Sequence, residues 1–274
     1  MNKNKIFTKC YLQSERNIVK YNTNNTDKRI WRYERTKMSN PVYKRILLKI
    51  SGEALAHNSE NDILDFDFMD EVARVIKKCL CEGVEIAVIV GAGNIWRGRQ
   101  GRDMDRCRAD HMGMLATVIN AIALQDTLIK NGVEAKVLTS VEMNTFADFY
   151  TQRTADAYLS SGKVVIFGGG LGAPFFSTDT PAVVRAAEIG ADAVLMAKNV
   201  DGVYSADPKK DKNATRYDDI TYSEIMEKGL HAFDMTAVSF CNENDINSFA
   251  FALSDPENIY NVVMGNAVGT KMHK

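Results

Sequence analysis

Between residue 43 and the C-terminus, two hydrophobic patterns alternate along the chain. Short runs that are apolar at nearly every position predict buried strands. These runs are residues 45–51, 84–90, 135–140, 163–168 and 191–198. Because the runs are continuous rather than alternating, and helical segments separate them, we expect a parallel sheet with helices on both faces, as in an α/β protein.

The segments between these runs have the periodicity of helices. Residues 66–83 place a set of apolar side chains on one helix face, namely Phe68, Val72, Val75, Ile76 and Cys79. Residues 111–132 predict a long, nearly all-apolar helix that stops at a glycine. A further helix is predicted to begin with Thr178 or Asp179 as its N-cap, with Pro181 near its first turn.

Glycines follow three of the predicted strands. They are Gly52, the pair in 91–93 and the group in 168–172. Ligands of parallel α/β sheets bind beyond the carboxyl ends of the strands. We therefore expect these loops to meet at one site, where their backbone could approach a phosphate.

The stretch "VIVGAGNIWRG" (88–98) fits neither of two common phosphate-binding motifs. A dinucleotide fingerprint needs a third glycine where Trp96 stands. A P-loop needs lysine and a hydroxyl residue after Gly98, where Arg99 and Gln100 follow. If this loop holds phosphate, it therefore belongs to a different architecture, and Trp96 disfavours a redox dinucleotide-binding domain.

Composition and charge divide the chain into two parts. Over 274 residues the composition is ordinary for a globular protein, with 45% apolar and 25% charged residues, and the net charge of −1 gives no reason to expect nucleic acid or a membrane as partner. Residues 1–38, in contrast, carry ten Lys/Arg and three Asp/Glu. We interpret residues 1–40 as a flexible extension without a catalytic role, or as a start assigned too early with Met38 as the true beginning, and residues 41–274 as one catalytic domain.

The five cysteines are scattered and form no C-x-x-C pair. Cys79 and Cys81 lie in a helical pattern, where most cysteines are small buried hydrophobes. We expect a reducing, cytoplasmic setting. No uninterrupted apolar run reaches 18 residues, so no membrane span is expected.

Phosphoryl transfer requires positive charge and N–H groups around the moving phosphoryl group. Near predicted strand ends, the candidate cations are Lys49, Arg97 and Lys198, with Asp179 at a helix start to orient them. Spacing alone leaves alternatives open. Lys49 could be a strand-end lysine that extends to water, and Arg97 could be an ordinary loop arginine.

Two further segments are ambiguous when taken alone. Asp110 in "DHMGM" is predicted at a helix start, either as a plain N-cap or as a contact to a sugar hydroxyl. The segment "DGVYSADP" (201–208) is predicted as a turn-rich loop.

Seven segments, in order, closely resemble the bacterial uridylate kinases of the amino acid kinase superfamily. They are "PVYKRILLKISGEAL", "GNIWRG", "DHMGMLATVINAIALQD", "PFFSTDTPA", "VDGVYSADP", "TYSEI" and "VVMGNAVGT". The resemblance runs from about Pro41 to Lys271. It implies a three-layer αβα sandwich with a mainly parallel central sheet (the amino acid kinase fold), no P-loop, and assembly as a homohexamer. It also implies a cytoplasmic enzyme of pyrimidine nucleotide (UTP and CTP) biosynthesis, which transfers the γ-phosphoryl group of ATP to UMP with Mg²⁺ and gives UDP and ADP.

The resemblance also assigns roles to individual residues. Catalysis falls to Lys49, bridging donor and acceptor, to Arg97, stabilising the transferred charge, and to Asp179, ordering the lysines or the metal. The residues matched to ATP binding are Lys49, Ile50, Ser51, Gly52, Gly93, Arg97, Lys198, Asn199, Tyr204 and Asp207. The residues matched to UMP binding are Ala92, Asp110 (the ribose), Leu171, Gly172, Ala173, Pro174, Phe175, Phe176, Ser177 and Thr178. No metal ligand is assigned, since Mg²⁺ is expected to be held mainly by the ATP phosphates.

The chain departs from the family pattern at three places. Ala92 replaces a loop glycine, which a backbone with negative φ would tolerate. Leu171 and Ala173 replace a hydroxyl and an amide residue, so base contacts would depend on backbone groups or Thr178. Residues 57–62 replace a glycine-rich stretch, and GTP activation is therefore not inferred.

Two rival functions remain. A kinase of the same superfamily that phosphorylates a carboxylate or carbamate, such as an acetylglutamate or aspartate kinase, is disfavoured by "DHMGM" and "PFFSTDT". A non-catalytic nucleotide-binding protein of the same fold would tolerate loss of the charged residues, yet Lys49, Arg97, Asp179 and Asp207 are all present.

Overall fold

Strand β1 (Arg45–Ile50) lies in the middle of a nine-stranded sheet, between β2 (Glu85–Val90) and β6 (Ala193–Lys198). The computed structural model describes residues 40–56, 62–97, 100–101, 103–208, 210–230 and 233–274. The strands of this part of the chain are β1 (Arg45–Ile50), β2 (Glu85–Val90), β3 (Ala135–Thr139), β4 (Asp148–Phe149), β5 (Val164–Gly168), β6 (Ala193–Lys198), β7 (Val203–Tyr204), β8 (Arg216–Tyr217), β9 (Asp219–Thr221), β10 (Ser248–Ala252) and β11 (Thr270–His273).

The large sheet has the order β4-β3-β5-β2-β1-β6-β10-β11-β9. Every neighbouring pair is parallel except β10 and β11, which are antiparallel. The mainly parallel sheet and the five strands predicted from the apolar runs are therefore confirmed. β7 and β8 form a separate antiparallel pair.

Helices cover both faces of the sheet. Their bounds are α1 (Gly52–Ala56), α2 (Phe66–Cys81), α3 (Arg106–Lys130), α4 (Gln152–Ser160), α5 (Asp179–Glu188), α6 (Tyr222–Glu227), α7 (Met235–Asn244) and α8 (Glu257–Val263). One core joins the sheet to α1, α2, α3 and α8, and a second joins it to α4, α5, α6 and α7. The three-layer αβα sandwich is thus confirmed, and each face of the sheet has its own hydrophobic core.

The alternation of side chains along β1 decides which layer each residue meets. Ile46, Leu48 and Ile50 contribute to the first core, whereas Leu47 contributes to the second. Successive side chains of a strand point to opposite faces. Lys49 therefore points, like Leu47, toward the layer that contains α5.

The amphipathic helix predicted at 66–83 is confirmed as α2. Asp65 caps its N-terminus by accepting a hydrogen bond from the amide of Phe68 at 3.0 Å. All five apolar residues predicted on its inner face are buried. Of the two cysteines predicted to be buried here, Cys79 is buried and Cys81 is only partly buried.

The predicted start of the long helix was wrong. Helix α3 begins at Arg106, because the side chain of Asp105 caps it by accepting a hydrogen bond from the amide of Arg108 at 3.1 Å. Asp110 consequently lies inside the helix, just beyond its first turn, and is not an N-cap. The charged first turn of α3 carries no apolar period, so the hydrophobic pattern could not show it.

Helix α3 is long and apolar enough, by length and composition alone, to cross a membrane. One 18-residue window has a mean hydropathy of 1.4, and 44% of that window is buried. The expectation of no membrane span depends on uninterrupted apolar runs. In α3 the polar residues Thr117 and Asn120 interrupt the apolar run. Both are buried and bonded to backbone of the glycine loops. By these contacts α3 is a core helix of the sandwich, and no membrane is indicated.

The segment 201–208, predicted as a simple turn, contains strand β7. Val203 and Tyr204 pair with Tyr217 and Arg216 of β8. The rest of the segment is made of bends and turns, as the sequence predicts, and a two-residue strand is too short to give a periodic signal.

Several predictions fall on residues outside the described ranges. They concern residues 1–39, including the alternative start at Met38, and most of the stretch 57–62. Pro41–Lys274 forms one compact unit. The roles given to the two parts of the chain stay predictions.

Candidate active site

The loops after β1 and β2 touch through their backbones. A Cβ atom on Gly52 would lie 2.5 Å from the amide nitrogen of Gly93 and 2.8 Å from the carbonyl oxygen of Gly91, so no larger residue fits without a shift of the backbone. Asn120 of α3 donates from Nδ2 to the Gly91 oxygen at 2.7 Å and to Asn94 Oδ1 at 2.8 Å. The two strand ends are therefore held together as a rigid edge.

A buried cluster of two lysines and one aspartate lies beside this edge. Lys49 Nζ is 2.9 Å from Asp179 Oδ1, and Lys198 Nζ is 3.6 Å from Asp179 Oδ2. We call Lys49, Asp179 and Lys198 the lysine–aspartate cluster. Since Lys49 points at α5 and is only 7% exposed, the alternative of a lysine extending to water is wrong.

Burial and charge shift the pKa values of two members of the cluster, Asp179 and Lys198. Burial by itself would raise the pKa of Asp179, but Lys49 and Lys198 overcome this effect and lower the pKa to about 2. Burial lowers the pKa of Lys198 below its ordinary value of 10.5, although Asp179 acts in the opposite direction. Asp179 is thus ionised at neutral pH, and the cluster places excess positive charge where β1 and β6 end.

A cavity of about 600 Å³ opens beside the cluster. Thr178 and Thr180, the neighbours of Asp179 in the chain, line it. The other residues around it are Ala92, Gly93, Trp96, Arg97, Arg106, Asp110, Gly113, Met114, Thr117, Gly170, Leu171, Ala173, Phe175, Phe176, Ser177, Pro181, Asp234 and Thr236. We call this space the acceptor cavity, because most residues matched to UMP binding line it; Gly172 and Pro174 do not.

Asp110 joins α3 to the loop that follows β5. Its Oδ2 atom accepts hydrogen bonds from the Phe175 amide at 2.9 Å and from Arg106 Nε at 2.8 Å. Phe175 has φ of 74°, a left-handed conformation that is uncommon for a phenylalanine. The carboxylate therefore fixes this loop in a strained conformation at the mouth of the acceptor cavity.

Arg97 lies on the same edge of the sheet as Lys49. It lines the acceptor cavity and forms an ion pair with Glu53, which follows Gly52 directly. Asn199 Nδ2 also approaches Glu53, at 3.5 Å. Three segments that carry residues matched to ATP binding are therefore neighbours: the end of β1, the loop after β2 and the end of β6.

Tyr204 and Asp207, also matched to ATP binding, are not brought to the acceptor cavity. Tyr204 donates from its hydroxyl to Asp201 Oδ1 at 2.7 Å, and Asp207 Oδ2 is 3.8 Å from Lys210 Nζ. Both belong to the segment around β7. Thr270 anchors this segment to β11, because its Oγ1 atom accepts a hydrogen bond from the Val203 amide at 2.8 Å.

Several residues of the cavity were not predicted from the sequence, and Asp234 makes the most contacts among them. Asp234 caps α7, since its carboxylate accepts a hydrogen bond from the Ala237 amide at 2.8 Å. The same carboxylate accepts a hydrogen bond from Thr180 Oγ1 at 3.0 Å and contacts the hydroxyl of Ser177. An aspartate before an apolar helix is a recognisable N-cap signal. The proximity of Asp234 to Ser177, 57 positions earlier in the chain, has no local signal.

Known proteins are similar to this chain over most of its length. A model described as the amino acid kinase family matches residues 44–251. The crystal structure of UMP kinase from Bacillus anthracis shares 35% identity at a TM-score of 0.81, covering 84% of this chain and 96% of that one. The UMP kinase from Ureaplasma parvum shares 36% sequence identity at a TM-score of 0.80, and the match covers 84% of this chain and 99% of that one. The uridylate kinase from Archaeoglobus fulgidus shares 28% sequence identity at a TM-score of 0.64, and the match covers 83% of this chain and 99% of that one.

Replacing Asp179 by asparagine should reduce the free energy of unfolding at neutral pH, because two lysines would lose their counter-charge. The pKa of about 2 lies below the ordinary 3.8, so the ionised carboxylate stabilises the fold above pH 3.8 and loses this effect as the pH falls toward 2. The shift corresponds to about 2 kcal/mol. Urea unfolding of both proteins should show this difference at pH 7 and a smaller one at pH 3.

Asp218→Asn is the matched control, since Asp218 pairs with Arg216 at an exposed site away from α3 and the cavity. It should change the stability little at either pH. An equal difference between wild type and Asp179→Asn at pH 7 and pH 3 would contradict the electrostatic origin of the effect.

Proposed function

The chain belongs to the amino acid kinase family, and on that premise we propose that it is an ATP-dependent UMP kinase, which transfers the γ-phosphoryl group of ATP to UMP and gives UDP and ADP. The observation that carries the proposal is the position of the lysine–aspartate cluster. Thr178 and Thr180, which flank Asp179 in the chain, line a cavity that is also lined by most of the residues matched to UMP binding, eight of the ten in all, so the cluster lies next to this cavity.

Electrostatic repulsion is the main obstacle to this reaction. A UMP phosphate and an ATP γ-phosphate bring several negative charges together, and each pair at 4 Å costs about 4 kcal/mol at an effective dielectric constant of 20. Lys49 and Arg97 are placed on one edge to offset this repulsion, together with N–H groups of the loop at Gly93. Cations fixed before the substrates bind need little reorganisation during the reaction.

The bond changes require no general base. An oxygen of the UMP phosphate, already anionic at neutral pH, attacks the γ-phosphorus of ATP while the bond from that phosphorus to the β,γ-bridging oxygen breaks. ADP leaves with the electron pair of the broken bond. Asp179, ionised and held by two lysines, serves in this scheme to position Lys49 and Lys198 rather than to accept a proton.

Mg²⁺ would enter with ATP. In the described part of the chain, no group of three or more His, Cys, Asp or Glu side chains is placed to hold a metal ion. The carboxylate of Asp179 already pairs with two lysines. This arrangement fits an ion held mainly by the ATP phosphates, where it would neutralise the charge on the β- and γ-oxygens.

Asp110 is proposed to bind the UMP ribose. Within the described part of the chain, both hydrogen bonds to its carboxylate fall on Oδ2, which leaves Oδ1 to accept a ribose hydroxyl within the cavity. The base would lie against Leu171 and Ala173, with the hydroxyl of Thr178 as a polar contact.

We further propose that the chain self-associates, as the hexamer implied by the family resemblance requires. Helix α3 exposes a set of large apolar side chains, each at least 38% exposed, which are Met112, Leu115, Ile119, Ile122 and Ile129. At 100° per residue these positions span about one third of the helix circumference. We call them the α3 stripe; Asp126 lies on the same face between Ile122 and Ile129. A second copy of the chain would cover this largely apolar surface.

The direct test is ATP consumption by the purified protein with UMP, CMP, AMP, acetylglutamate or aspartate as acceptor. We expect turnover with UMP, and Lys49→Met should lower kcat by roughly 100-fold or more while changing the KM values much less, because a charge that stabilises the transition state is lost. Coupled ADP release measures both quantities.

Lys163→Met is the control, since Lys163 pairs with Glu134 away from the cavity. It should behave as wild type. Activity with acetylglutamate or aspartate alone would favour the rival kinases, and near-normal turnover of Lys49→Met would contradict the role of Lys49.

Placing a charge in the α3 stripe should disrupt the assembly. Ile119→Lys is expected to lower the molar mass measured by light scattering after size-exclusion chromatography, because it buries a charge in an apolar interface. Val42→Lys, at a residue that is 60% exposed outside the stripe, should leave the mass unchanged. A wild type that is monomeric, or an unchanged mass of Ile119→Lys, would rule out this interface.

A further inference from the structure

Resting on the proposed function, we infer that Ser140 and Arg185 are positioning residues for the acceptor nucleotide. They fix the loop of residues 169–178, which we call the acceptor loop. Neither residue lines the acceptor cavity, so neither is a catalytic residue. The two lie behind the loop, Ser140 directly after β3 and Arg185 on α5.

Ser140 supports the acceptor loop from three directions. Its amide donates to the Gly168 oxygen at 3.2 Å, and its hydroxyl donates to the Gly170 oxygen at 2.5 Å. A Cβ atom on Gly172 would lie 3.1 Å from the Ser140 oxygen, so the loop backbone packs directly against this residue. Leu171 and Ala173, which line the cavity, flank the glycine that packs on Ser140.

Arg185 determines the direction of the serine hydroxyl. Its Nη2 atom donates to Ser140 Oγ at 3.2 Å. A guanidinium group has no acceptor, so the hydroxyl must receive this bond and direct its own proton elsewhere. The nearest acceptor is the Gly170 oxygen. Arg185 therefore orients the bond that holds the acceptor loop.

Arg185 is itself fixed in one conformation. It is 6% exposed, its Nη1 atom is 2.5 Å from Glu188 Oε2, and its guanidinium stacks on the Tyr150 ring at 3.8 Å. The Tyr150 hydroxyl donates to the same Glu188 oxygen at 2.6 Å. These contacts join three side chains, and the planar guanidinium, being pre-organised, loses little conformational freedom per hydrogen bond.

Helix α5 connects this support to the lysine–aspartate cluster. Asp179 is its first residue and Arg185 lies six positions later, about 9 Å along the helix axis. A single rigid element thus holds the donor-side cations at one end and the support of the acceptor loop further along. This placement predicts that loss of the support affects the acceptor nucleotide and spares ATP.

Ser140→Ala is the central variant. We expect its KM for UMP to rise by about 5- to 20-fold, the effect of losing one or two positioning hydrogen bonds, while the KM for ATP and kcat stay within about threefold. Calorimetric titration of UMP into the protein without ATP should show the same loss of affinity. Ser161→Ala is the control, because its hydroxyl also donates to a carbonyl, that of Tyr158, outside the cavity.

A double-mutant cycle tests whether Arg185 acts through Ser140. Arg185→Gln should raise the KM for UMP in the same direction, and the double variant should be no more than about twofold worse than the more severe single variant. If Arg185→Gln does not fold, Ser140→Ala alone decides. If the wild type is active and Ser140→Ala leaves the KM for UMP unchanged, this inference is overturned and the proposed function stands. The same holds if the increases in the KM for UMP caused by the two single variants multiply in the double variant. A wild type without UMP kinase activity removes the premise of both.

Discussion

The pairing of one buried carboxylate with two buried ammonium groups is the interaction on which the site depends. Lys49 comes from β1, Lys198 from the end of β6 and Asp179 from the first turn of α5, so the cluster ties the central strands to the helix layer. An unpaired buried charge is strongly destabilising. Asp179 allows two lysines to remain close together in the fold, with a net positive charge available to phosphate anions.

The backbone contacts of the glycine loops give this cluster its surroundings. Because a side chain at Gly52 would meet backbone of Gly91 and Gly93, the ends of β1 and β2 approach more closely than other residues would permit. The same edge carries Arg97, while α5 continues past Asp179 to Arg185 behind the acceptor loop. The fold thus arranges cations, N–H groups and the cavity through a few rigid elements.

The sheet, the family and most of α2 could be predicted from the sequence, since long apolar runs and seven co-linear motifs leave little ambiguity. The family and the αβα fold are confirmed. The residue roles stay predictions, although the structure brings most of the matched residues together. The start of α3 and strand β7 were missed because a charged helical turn and a two-residue strand carry no period. The contacts of Asp234 with Ser177 and of Arg185 with Ser140 join distant parts of the chain, and no local pattern encodes them.

The central claim is that ATP and UMP lie end to end across the lysine–aspartate cluster. It is tested most directly by calorimetric binding of a bisubstrate analogue in which five phosphates join adenosine to uridine. We predict one bound analogue per chain, tighter binding than that of either nucleotide alone, and competition with both ATP and UMP. Competition with only one of the two nucleotides would contradict it.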